Sequence, residues 1–343
     1  MTQQSDYRNA SSLDEFEERI HFFPPPLVER FNPLTASPEE RARHGIPPQP
    51  DPEQQPLLAR FWTEMYSPPL VFAPRFLLGL LPKRISTARR VTAAARHEAS
   101  LNWSGAYITP RDGQQLTEVH ATWRIPRVLA PAGMPASAEY RSSIWIGLDG
   151  QQRYLDSSLP QFGTGQFVNA PVPPQPFHTW CQWWLRDNPQ TYTPAILSLG
   201  VAPGQRVMAS LHVVNETRVH CIIKNRDTNE FLPFIMNAPT DIVSRKQVKI
   251  SGATAEWVVE RPAEEHTGEP YELPDYNTVP FTNCFALSAK MPAGGVPGPG
   301  RERTLDGARL IKMYKRERNP PRTVTISQAT PPDVDHFDVF YVT

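Results

Sequence analysis

Cysteine is scarce, with 3 in 343 residues. So few cannot staple a loop-rich scaffold, and the fold must stand on a buried apolar core, which a chain of this length can build. Net charge is also missing, with 35 Lys+Arg against 35 Asp+Glu. A neutral chain lacks the basic footprint of a nucleic-acid binder, so no such partner is expected. No long hydrophobic run occurs. The most apolar stretch, Leu70 to Leu81, is short for a bilayer and contains Pro74 and Arg75, so no membrane span is expected. The N-terminus has no basic-then-apolar leader, which leaves the cytoplasm and export by a non-classical route both open. Glycine is modest at 18, whereas proline reaches 39. That is about twice the usual share. Such density leaves little room for long helices, which argues against an α-bundle or a doubly wound α/β sheet.

What is present changes character near residue 98. Residues 1–98 carry short helical signals between prolines. Ser12 with Glu15 looks like a capping box opening a helix to about Ile20. Ser37-Pro38-Glu39-Glu40 is a second start, and a third helix is expected over Gln54 to Tyr66. The basic run Lys83 to Arg96 reads as a linker. The segment is therefore expected to be a Pro-rich, partly helical extension, either an inhibitory prosegment or a permanent accessory arm. Residues 99–343 switch to short β-rich runs separated by Gly, Pro and Asp-Gly, the pattern of an all-β sandwich or barrel. Asp112-Gly113 is expected to close a hairpin. Cys181, Cys221 and Cys284 have no metal-ligand spacing and are expected to be buried small hydrophobes. No metal or cofactor is expected.

Strand alternation sorts side chains onto faces. Over Ala255 to Glu260, Glu256, Val258 and Glu260 share a face. His178, Trp180, Gln182 and Trp184 do the same on their strand, as do Ser143, Trp145, Gly147 and Asp149. Faces that mix indoles with carboxylates and amides suit a groove for an extended polymer. One residue at a time, Trp on a strand reads as core and Glu as solvated.

Several ordered segments carry a resemblance. They are Asn102-Trp103-Ser104-Gly105, Ala121 to Pro126, Trp145-Ile146-Gly147-Leu148-Asp149-Gly150, Gln161-Phe162-Gly163-Thr164, Trp180-Cys181-Gln182-Trp183-Trp184 and Ala255 to Glu260. Together, over roughly residues 100–290, they resemble the glutamic peptidases, or eqolisins. The resemblance implies a β-sandwich of two curved antiparallel sheets, with the catalytic pair Gln161 and Glu256 on the concave face. It also implies substrate-binding positions at Trp103, Asp149, Trp180 and Gln182. Position 182 departs from the fungal pattern, where a Glu stands. With a pI of about 7.1 and no evident leader, an acid optimum is not assumed, and the pH optimum stays open.

The residue types suit that chemistry. A Glu carboxylate can take a proton from an attacking water and return it to the leaving amine. A Gln amide cannot titrate, and it can donate to the developing oxyanion. The expectation is a monomeric peptidase acting on polypeptides and indifferent to chelators and to serine- or cysteine-directed reagents. A non-catalytic module gripping glycan or extended peptide in a Trp-lined groove is the alternative. A glycosidase using Asp149 and Glu256 is a third reading.

Overall fold

A computed structural model describes residues 18–26, 31–81, 91–94, 97–150, 158–171, 175–186, 188–263, 268–292, 295–318 and 320–342. Among them, twenty strands run in chain order. The first five are β1 (Ile20–Phe22), β2 (Val71–Phe72), β3 (Leu77–Leu80), β4 (Val91–Ala94) and β5 (His97–Ser100). Next come β6 (Trp103–Ile108), β7 (Gln115–Arg124), β8 (Tyr140–Leu148), β9 (Ser158–Val168), β10 (Phe177–Leu185) and β11 (Ala195–Leu197). Then follow β12 (Arg206–Asn215), β13 (Arg218–Asn225), β14 (Glu230–Asn237), β15 (Ala255–Glu260) and β16 (Thr278–Ala289). The last are β17 (Arg301–Arg303), β18 (Arg309–Arg318), β19 (Pro321–Ala329) and β20 (Phe337–Tyr341).

The all-β expectation holds, and pairing is almost wholly antiparallel. Two separate sheets were the expectation, whereas hydrogen bonding is continuous. One half runs β3–β11–β10–β9–β8–β15–β6–β18, with β5 also on β18. The other runs β20–β16–β7–β12–β13–β14, with β1 and β2 also on β14. Strand β19 pairs with both β18 and β20 and joins the halves. Alternate side chains of both halves form one apolar cluster, including Ile146, Phe162, Trp257, Ala121, Leu211 and Phe234. Two buried indoles bridge the halves: Trp257 Nε1 donates to the His120 carbonyl at 2.8 Å, and Trp123 Nε1 donates to Thr164 Oγ1 at 3.1 Å. The three cysteines are buried and free, as expected.

The N-terminal segment is less of a loose arm than its prolines imply. Helix α1 (Pro38–Arg43) opens on the expected capping box of Ser37 and Glu40. Helix α2 (Pro56–Tyr66) lays Leu58, Phe61, Trp62, Met65 and Tyr66 against Met208, Ile222, Phe231, Phe285 and Leu287, on the outer face of the second half. Lys224 Nζ donates to the carbonyls of Met65 and Ser67 at 3.0 and 3.2 Å and ties down the end of α2. The expected Ser12 helix lies mostly outside the described residues, and Ile20 belongs to β1. Most of the Lys83–Arg96 run also lies outside them. Asp112 and Gly113 take the positive φ values of 59° and 65° that such a turn needs. They close no hairpin, because β6 pairs with β15 and β18 while β7 pairs with β12 and β16. The turn instead carries the chain from one half to the other.

Candidate active site

Directly opposed residues on neighbouring strands share a face. That rule assembles the candidate site from register alone. Glu256 on β15 stands opposite Tyr107 on β6 and Gly147 on β8. Gly147 stands opposite Gln161 on β9, and Gln161 opposite Gln182 on β10. The row is therefore Tyr107, Glu256, Gly147, Gln161, Gln182, all turned away from the shared core. Two residues along, the next row is Gly105, Val258, Trp145, Gly163 and Trp180. The third row holds Trp103, Glu260, Ser143, Gly165 and His178. Trp103, Tyr107, Trp145, Trp180 and Trp184 belong to a second buried apolar cluster, together with Leu81, Leu159, Phe167, Ile196, Val258 and Ile311.

Glycine makes the face possible at two positions. A Cβ at Gly163 would fall 2.0 Å from the Ile144 carbonyl and 2.8 Å from the Trp145 side chain. A Cβ at Gly147 would meet Leu159 Cδ1 at 2.9 Å and Gln161 Cβ at 3.2 Å. Gly147 thus leaves the space over which Glu256 and Gln161 face each other.

The polar groups are held by named partners. Gln182 Nε2 donates to the Thr191 carbonyl at 2.8 Å. This turns Gln182 Oε1 toward Gln161, whose Nε2 donates to it at 3.2 Å. Gln182 therefore supplies the acceptor that a carboxylate would supply at this position. Gln161 Oε1 has no hydrogen-bond partner among the described residues. Glu256 Oε1 accepts from Thr254 Oγ1 at 2.9 Å. Tyr107 Oη donates to Glu98 at 2.6 Å, so a second acid reaches the end of the row from β5.

The expected substrate contacts divide. Trp180 and Trp103 lie one and two rows from Glu256, on the same face. Asp149 is engaged elsewhere. Its carboxylate accepts from Ser251 N at 2.7 Å, Ser251 Oγ at 2.8 Å, Ala253 N at 2.7 Å and Gly252 N at 3.3 Å. Its own N–H donates to the Thr254 carbonyl at 2.9 Å. Asp149 thus clamps the turn that delivers Thr254 and Glu256. Burial pushes the Asp149 carboxyl up from its ordinary value, and the hydrogen bonds from Ser251, Ala253 and Gly252 work against that rise.

One carboxylate went unassigned in the sequence reading. Glu260 Oε1 accepts from Trp103 Nε1 at 3.1 Å and Asn102 Nδ2 at 3.2 Å, and Oε2 accepts from Trp145 Nε1 at 3.0 Å. It is the hub that orients two indoles of the face. The signal for it was its shared strand face with Glu256. Among the described residues the expected open groove is not seen. Glu256 is 0% exposed, Gln161 5% and Gln182 3%.

Comparison with known proteins completes the description. A family model described as the peptidase A4 family matches residues 101–334. A scytalido-glutamic peptidase solved with a transition-state analogue inhibitor is similar in fold, with a TM-score of 0.51 at 16% identity, over 70% of this chain and 98% of that one. The eqolisin SCP-B, solved with the tripeptide Ala-Ile-His, has a TM-score of 0.50 at 17% identity and the same coverage. A search of curated proteins returns no match. With the family model spanning more than half of its length, the chain belongs to the peptidase A4 family, the glutamic peptidases, and is a hydrolase of peptide bonds.

Proposed function

We propose that Glu256 and Gln161 perform the hydrolysis as a water-activating acid–base and an oxyanion-binding amide. The observation that carries this reading is the row itself, with the two side chains on one face and only a glycine between them. Glu256 takes a proton from water as that water attacks the peptide carbonyl, then gives it to the departing nitrogen. Thr254 holds one carboxylate oxygen of Glu256, and Gly147 is the residue between Glu256 and Gln161 in the row. One N–H of Gln161 is held by Gln182, and the second is available to the oxyanion. Gln161 Oε1 is an acceptor for the attacking water or for a substrate N–H.

In this reading Gln182 and Asp149 are positioning residues. The first orients the Gln161 amide and the second orients the turn before Glu256. Trp103 and Trp180 are proposed as the substrate contacts beside the row, with Glu260 holding Trp103. The engagement of Asp149 with Ser251, Gly252 and Ala253 also weakens a two-carboxylate glycosidase, since its hydrogen-bonding capacity is taken up.

The test is Glu256→Gln and Gln161→Ala, assayed on an unfolded protein substrate. Glu256→Gln should abolish turnover. Gln161→Ala should lower kcat by a factor on the order of 10²–10³. Circular dichroism should match the parent in both. Full activity in a folded Glu256→Gln protein ends the proposal.

A further inference from the structure

A second constellation sits on the other half of the fold. On β7 and β12, Glu118 stands opposite His212, and His120 opposite Ser210. Their neighbours Val119, Ala121, Ala209 and Leu211 point into the shared core, so these four side chains all lie on the outer face. Glu118 Oε2 is 3.2 Å from His120 Nε2 and 2.8 Å from His212 Nδ1. The three donor atoms lie within 4.8 Å of one another. Ser210 Oγ closes the ring on the far side, 2.8 Å from His120 Nδ1 and 2.6 Å from His212 Nε2.

We propose that Glu118, His120 and His212 form a binding site for a divalent transition-metal ion of the zinc class. The donor set leads there: one carboxylate oxygen and two imidazole nitrogens converge, while Ser210 Oγ engages the other nitrogen of both rings. A cation among the three donors would take a lone pair from each. Both ring nitrogens nearest Glu118 become ligands, and both remaining N–H groups donate to the two lone pairs of Ser210 Oγ. Ligating histidines ordinarily donate their second N–H to such an outer oxygen, which fixes the tautomer. Zinc takes imidazole nitrogen and carboxylate oxygen at about 2.0–2.2 Å. Tetrahedral donors at that length stand about 3.4 Å apart, beside the 3.2 and 2.8 Å from Glu118 Oε2 to the two ring nitrogens.

The surroundings fit a bound ion. His120 is fully buried, stacked on Phe285 at 4.5 Å and edged by Phe61 of α2 at 5.1 Å, so it is held rigidly. Glu118 and His212 keep 23% and 16% of their side chains exposed, which gives an ion and a completing water a path in. The ion would staple β7 to β12 beneath the N-terminal arm. It lies on the opposite half from Glu256, so its expected effect is on stability and not on the hydrolytic step.

The experiment uses the full chain, stripped with a chelator and then titrated with Co²⁺ and Zn²⁺. One Co²⁺ per chain should bind, with the visible ligand-field absorption of a four-coordinate nitrogen–oxygen site. Zn²⁺ should displace it, and either ion should raise Tm. His212→Ala, at a partly exposed position chosen to spare the fold, should remove the absorption and the Tm shift while leaving circular dichroism unchanged. Ser210→Ala should keep the ligands and weaken affinity about 10- to 100-fold. A folded, stripped protein that shows neither absorption nor Tm shift overturns the proposal, as does unchanged metal uptake by His212→Ala.

Discussion

Gln161 and Glu256 stand two strands apart in one cross-strand row, with Gly147 between them. Adjacent strands are separated by about 4.8 Å, so the pair is spaced for something to sit between two side chains that reach toward each other. Any side chain at 147 enters that space. Gly147→Ala should therefore press on Leu159 and Gln161, the atoms its Cβ would meet at 2.9 and 3.2 Å. The expected result is a fall in kcat on the order of 10²-fold, the usual cost of a misplaced catalytic group. The fold should survive with a modestly lower Tm. Steady-state kinetics beside a melting curve check this, and unchanged kcat would remove the spacing argument.

Gln182 offers a sharper test because it is both donor and acceptor. Gln182→Leu removes the acceptor for Gln161 and leaves the buried Thr191 carbonyl without its donor. An unpaired buried polar group costs about 1–3 kcal/mol, so both stability and kcat should drop. Gln182→Glu is expected to behave differently with pH. A protonated carboxyl can still donate to Thr191 and accept from Gln161, whereas an ionised one faces the Thr191 carbonyl with no hydrogen. Activity of Gln182→Glu relative to the parent should therefore fall as pH rises. A constant ratio across the pH range would mean that Gln182 does not orient Gln161.

Asp149 should prove to be a clamp. Asp149→Ala releases the turn at Ser251, Gly252 and Ala253 that precedes Glu256. Hydrogen bonds to a charged group contribute about 1.5–3 kcal/mol each, so a loss of several kcal/mol is expected by chemical denaturation. The residual folded protein should show a lower kcat with KM little changed. A raised KM with normal stability would instead return Asp149 to the substrate cleft.

Much of this face was legible in the sequence, because alternation is a property of the backbone. It put Glu256 with Glu260, and Trp180 with Gln182, before any strand was paired. The strand that carries Gln161 was harder. Pro160, Gly163 and Gly165 are poor strand formers, yet they lie within β9. Glycine is there because Trp145 and His178 occupy the space a side chain would need. Pairing between distant strands was also out of reach. Glu118-x-His120 and Ser210-x-His212 are unremarkable dipeptide spacings until β7 and β12 align in register. The burial of the row that holds Glu256 and Gln161 likewise depends on contacts that no local pattern encodes.

Lys224 gives a pH-dependent handle on the N-terminal arm. Burial, helped by repulsion from Arg226 and opposed by Glu64, holds its ammonium group down at about 8. In an unfolded chain lysine titrates near about 10.4. Between those values the unfolded state carries more protons, so this group's contribution to stability rises with pH across that window. Below it, the buried charge is a standing cost. Buried thiols such as Cys181, pushed up by desolvation, pull the other way. The difference between the parent and Lys224→Met isolates the lysine. Unfolding free energies should show the parent gaining on the variant from about pH 8 to about pH 10. Parallel profiles would mean that Lys224 is not desolvated as the structure describes.

The N-terminal arm should behave as part of the fold even after its linker is cut. Leu58, Phe61, Trp62, Met65 and Tyr66 are buried against the outer face of the second half. Burying such side chains stabilises by about 1.5–3 kcal/mol each before ordering costs. Strand β3 also completes the edge of the half that carries Glu256 by pairing with β11. Removing residues 1–98 exposes Met208, Ile222, Phe231, Phe285 and Leu287, and leaves Lys224 without its two carbonyl acceptors. The fragment 99–343 should therefore aggregate or melt well below the full chain. A protease cut between Lys83 and Arg96 should give two pieces that co-elute on size exclusion, with no gain in activity from the cut alone. If the fragment is instead soluble, as stable as the parent and more active, the arm is a dispensable inhibitor and its apolar docking contributes nothing to the mature fold.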